Sequence, residues 1–105
     1  MLHRLMLVLA AVALAAPASA QQQPNARTGE ALARQWCASC HLVAADQRTP
    51  APDTAPPFAS IAARPSATAG ALNTIIQMPY PRMPQIALSR DEVAHIIAYI
   101  LSLKR

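Results

Sequence analysis

The sequence predicts an all-α chain of three main helices plus one short helical turn, and three observations carry that expectation. Ser89-Arg90-Asp91-Glu92 reads as a capping box, and Val93, Ile96, Ile97, Ile100 and Leu101 follow at the i, i+3, i+4, i+7, i+8 spacing of one buried helix face. Two earlier stretches carry apolar residues at helical spacing, each with a preceding cap or turn signal, and a proline-rich loop separates them. No strand pattern precedes Cys37, and no internal repeat or second domain is visible.

The first segment is expected to be a signal peptide, residues 1–20. Met1 to Arg4 carry positive charge, Leu5 to Ala16 form an apolar run, and Ala18-Ser19-Ala20 has the small-x-small pattern of a cleavage site before Gln21. The apolar run is short for a spanning helix and ends in Pro17, so no stable membrane span is expected after cleavage, and the localisation expected is the periplasm. Residues 21–105 then form one small domain. A domain of this size buries a thin core and needs a staple, and with Trp36, Phe58, Tyr80 and Tyr99 as its only aromatics it has little bulky apolar surface of its own.

The first main helix is expected from about Ala26 to Cys40, with Asn25 as N-cap after Pro24 and Ala31, Leu32 and Trp36 as apolar positions. It ends in Cys37-Ala38-Ser39-Cys40-His41, the C-x-x-C-H attachment signature of a c-type haem. In a helical segment Cys37 and Cys40 lie on one face and can both form thioethers to the haem vinyl groups. His41 follows four residues after Cys37, within reach of the iron of the macrocycle the cysteines hold. Zinc and thiol-redox sites share the C-x-x-C spacing, but a structural zinc site needs four ligands, and this chain has no other cysteine and only His3 and His95 besides His41. A thioredoxin-like site needs a βαβ setting. One covalently bound haem c is the cofactor expected, and it supplies the missing staple, so the chain without haem is expected to fold poorly.

Leu42 to Phe58 carries Pro50, Pro52, Pro56 and Pro57 and is expected to be a loop wrapping a haem edge, with Phe58 to Ala63 adding one short helical turn before Pro65. The second main helix is expected over Ser66 to Gln77, with Leu72, Ile75 and Ile76 as its apolar stripe and Met78-Pro79 as its end. In the third, Asp91 and Glu92 sit at the positive end of the helix dipole and Lys104 and Arg105 at the negative end.

Together, C-x-x-C-H near the mature N-terminus, a Met-Pro pair before the last helix and the closing Leu-Ser, Glu-Val and Tyr-Ile run resemble a class I monohaem cytochrome c of the bacterial periplasmic type, over nearly the whole mature chain. The resemblance implies a small cytochrome c fold wrapped around the haem. It also implies a second axial ligand from the loop before the last helix, and of Met78-Pro79 and Met83-Pro84 the latter stands directly ahead of the Ser89 cap. Met83 is therefore assigned as ligand and Met78 as core filler. The resemblance further implies that the Pro56 carbonyl accepts a hydrogen bond from His41, an ordinary loop proline being the alternative. Gly29 and Tyr99 match a small residue and an aromatic through which the first and last helices cross. His95 is read as a solvent or packing histidine.

With His41 and Met83 on iron no position is open for substrate, so the implied function is electron transfer rather than catalysis. The rivals are a haem subunit of a larger periplasmic oxidoreductase and a haem enzyme or ligand sensor with an open sixth position. A formal charge of +4, or +3 once Arg4 leaves, with basic residues scattered singly, speaks against nucleic acid. The partners expected are a redox donor and acceptor, a membrane or periplasmic oxidoreductase among them, with Arg82 beside Met83 a candidate docking residue.

Overall fold

The computed structural model describes residues 23–48, 55–78 and 81–105. The expected signal peptide, positions 49–54 of the proline-rich loop and positions 79–80 lie outside the described residues. Four helices follow in order: α1 (Ala26–Trp36), α2 (Phe58–Ala62), α3 (Ala69–Gln77) and α4 (Arg90–Ser102), with no strand among the described residues.

Asn25 caps α1 as its side chain accepts from the Thr28 N–H at 3.1 Å. The helix stops at Trp36, four residues before the expected end. Cys37 to Cys40 form a turn in which the Cys40 N–H (3.2 Å) and the His41 N–H (2.9 Å) both donate to the Cys37 carbonyl. The His41 bond spans four residues as in an α-helix, so the motif keeps one helix-like closure while leaving the regular spiral.

Helix α2 is the expected short turn. Helix α3 begins three residues later than expected, because the Ala67 N–H bonds the Arg64 carbonyl in a turn (3.0 Å) and Thr68 supplies the cap to Ala71 N–H (3.2 Å). It ends at Gln77 as expected, with Met78 extended (φ −86°, ψ 142°), the conformation a following proline imposes. That extended exit leaves Met78 51 % exposed, so it is not core filler.

At α4 both halves of the capping box are formed, Ser89 N–H to Glu92 Oε2 at 2.7 Å and Glu92 N–H to Ser89 Oγ at 3.1 Å. Val93, Ile96, Ile97 and Ile100 are buried beneath it, each contributing about 1.5–3 kcal/mol by leaving water.

Helices α1 and α4 form the main packing interface, and α2 and α3 rest on α4. The α1–α4 approach depends on Gly29. A Cβ there would overlap the backbone carbonyl of His95 and come within 2.9 Å of Tyr99 Cβ, so the absence of a side chain lets the two backbones touch. His95, on the facing turn of α4, is buried and its Nδ1 accepts the Asn25 backbone N–H at 2.8 Å, which makes it a packing histidine rather than a solvent one.

Candidate functional site

The C-terminal end of α1 delivers Cys37, Cys40 and His41 in one turn, all three half-buried and both cysteines free thiols. Burial, with the neighbouring Cys40 adding to it, pushes the Cys37 thiol up to about 11.

His41 is held at several points. Its Nδ1 lies 2.7 Å from the Pro56 carbonyl oxygen, so Nδ1 carries the proton and donates, and Nε2 is the nitrogen left for a metal. The Phe58 ring stands 5.3 Å from the imidazole, centroid to centroid, tilted by 57°, and Tyr99 continues the row at 6.3 Å from Phe58. The backbone is pinned beside it, with Phe58 N–H donating to the Leu42 carbonyl (2.9 Å) and the Tyr99 hydroxyl to the Val43 carbonyl (2.6 Å). Pro56 and Phe58 come from the far end of the proline-rich loop, so that loop folds back onto the turn carrying His41.

Met83 is half-buried in the irregular stretch that precedes the Ser89 cap, and Arg82 beside it is exposed. Cys37, Cys40, His41 and Pro56 are thus gathered around one turn, while Met83 lies in the segment between α3 and α4.

Three contacts at this site were not anticipated from sequence. The Tyr99 hydroxyl reaches across 56 residues to Val43, where the expectation concerned only its ring. Arg34 joins Glu30 (3.0 Å) to Asp46 (2.7 Å), tying α1 to the turn after the motif and holding the Asp46 carboxyl below its usual range. The Gln47 side chain accepts from Val43 N–H (2.9 Å) and donates to the Ala38 and His41 carbonyls (3.1 and 3.3 Å). Of these only Glu30 and Arg34 show a local signal, their i, i+4 spacing on one helix.

The donor set fits a covalently held haem. Two cysteine side chains and an imidazole with Nδ1 committed to Pro56 and Nε2 left as donor share one turn, as thioether attachment and axial ligation require. Trp36, Leu42, Ile75 and Met78 are large apolar side chains left 37–51 % exposed.

Comparison with known proteins agrees with this geometry. Residues 24–100 match the family model described as cytochrome c oxidase, cbb3-type, subunit III. The chain is 42 % identical to cytochrome c-552 of Bradyrhizobium diazoefficiens over 93 residues, covering 89 % of this chain and 88 % of that protein. No solved structure gives a significant match. A C-x-x-C-H turn, an all-helical fold and a family match along most of the chain converge, and the chain belongs to the class I monohaem cytochromes c, electron-transfer proteins carrying covalently bound haem c.

Proposed function

We propose that residues 21–105, released from a signal peptide of residues 1–20, form a periplasmic one-electron carrier in which Cys37 and Cys40 hold haem c and His41 and Met83 are the axial ligands. When bound, haem c supplies a ferric/ferrous couple. The observation that carries the reading is the 2.7 Å contact between His41 Nδ1 and the Pro56 carbonyl, which commits one imidazole nitrogen to the protein and leaves the other as donor to iron.

In this reading Pro56 strengthens the imidazole's donation, and Phe58 restricts the ring's tilt. Met83 would supply a thioether donor, which would favour the reduced state over a second imidazole and leave no place for an exogenous ligand. The described helices include none long and apolar enough to cross a membrane.

The test uses exported, matured protein. It should keep its haem through acid-acetone extraction, titrate reversibly as a single one-electron centre, and leave its ferrous spectrum unchanged under carbon monoxide. Extractable haem would refute covalent attachment, and stoichiometric carbon monoxide binding would replace the carrier with an open-site haem protein.

The family description favours a second reading, a haem subunit working within a larger oxidoreductase. Native purification separates the two, since a carrier elutes alone and a subunit co-elutes with its complex.

A further inference from the structure

We propose that Gln47 is a positioning residue for the proximal ligand, its side-chain amide clamping the turn that carries His41 and thereby setting the orientation of the imidazole. The inference rests on the reading of His41 as an axial ligand and concerns how this chain holds it.

Gln47 is half-buried six residues beyond His41, in a turn closed by its own N–H to the Ala44 carbonyl at 3.1 Å. Its Oε1 accepts the Val43 N–H at 2.9 Å, while its Nε2 donates to the carbonyls of Ala38 at 3.1 Å and His41 at 3.3 Å. The partners fix which end of the amide is which, since two carbonyls demand a donor and one N–H demands an acceptor. A carboxylate could satisfy only the N–H, and a lysine or arginine only the carbonyls. A primary amide serves all three from one planar group.

These contacts bracket the ligand. Ala38 lies between the two cysteines, His41 is the ligand itself, and Val43 is two residues beyond. An imidazole tethered only through Nδ1 to Pro56 can still swing about that contact. Holding the backbone on both sides of His41 fixes the other end of the side chain, and two fixed ends define the ring plane. The clamp is itself anchored, because Asp46 is bound to Arg34 on α1 and the Val43 carbonyl to Tyr99 on α4.

The test is proton NMR of the oxidised holoprotein, in which the spread of the haem methyl resonances reports the orientation of the axial imidazole plane, read beside thermal unfolding. Gln47→Ala and the isosteric Gln47→Glu should both change the methyl pattern. Gln47→Glu keeps the acceptor for Val43 and loses both donors, so it carries the test even where Gln47→Ala is not matured. Protonating the introduced carboxyl at low pH returns one donor and should move the pattern back toward that of the wild type. A wild-type methyl pattern in matured Gln47→Glu, with only the unfolding midpoint lowered, overturns the proposal and leaves the ligation reading intact. Absence of an iron-bound imidazole signature in the wild type itself overturns both.

Discussion

The Tyr99 hydroxyl donates to the Val43 carbonyl at 2.6 Å, joining the last helix to the chain two residues after His41. Tyr99 and Val43 are both buried, so Tyr99→Phe leaves a carbonyl unpaired away from water and should cost about 1–3 kcal/mol. Burial first, and then the Glu30 carboxylate, raises the Tyr99 phenol above its ordinary value. The unfolded chain therefore loses this proton at lower pH than the folded one. The phenol's contribution is complete below about pH 10 and is lost as pH climbs toward the folded value. Unfolding midpoints across the alkaline range should fall more steeply in the wild type than in Tyr99→Phe, and parallel curves would contradict this.

Gly29→Ala should destabilise the protein despite a gain of about 1 kcal/mol in helix propensity. The added methyl overlaps the His95 carbonyl, which is backbone and cannot rotate aside, so α1 and α4 must separate. Overpacking of this kind costs about 1–3 kcal/mol or more. Denaturant unfolding of the holoprotein measures the net effect, and an increase in stability would mean that the helices cross elsewhere.

Ser89→Ala removes the acceptor for Glu92 N–H and should lower stability by about 1 kcal/mol without altering the haem ligands. Thermal unfolding read beside the visible spectrum checks both halves. An unchanged midpoint would place the effective start of α4 at another residue.

Arg82, exposed beside Met83, should bias encounter with an acidic redox partner. Arg82→Glu is expected to slow bimolecular electron exchange, with the difference from wild type shrinking as salt rises. Stopped-flow rates with identical salt dependence in the two proteins would remove Arg82 from the docking face.

What could be read from sequence was local. Asn25, the Ser89–Glu92 box and the stop at Met78-Pro79 each depend on residues within four positions, and each forms as expected. Where long-range contacts compete with local spacing, expectation and structure part. Helix α1 ends at Trp36 and the turn beyond it is tied to Gln47, while the start of α3 shifts from Ser66 to Ala69 because the chain between them is taken up in the Arg64–Ala67 turn, whose Ala67 carbonyl also receives Lys104 Nζ at 2.9 Å. Met78 has an apolar side chain at a helix end, yet the extended backbone before Pro79 turns it outward. At the site, the C-x-x-C-H motif announces itself, whereas the contact of Pro56 with His41 is implied only by family resemblance and that of Tyr99 with Val43 has no signal in the sequence. A hydrogen bond between a side chain and a distant carbonyl leaves no periodic trace.

The most direct test of a closed His41/Met83 site is the near-infrared sulfur-to-iron charge-transfer band of the oxidised protein. The wild type and Met78→Ala should show it, and Met83→Ala should lose it and acquire carbon monoxide binding in the ferrous state. A band that survives in Met83→Ala and disappears in Met78→Ala would contradict the account and move the sixth ligand to the end of α3.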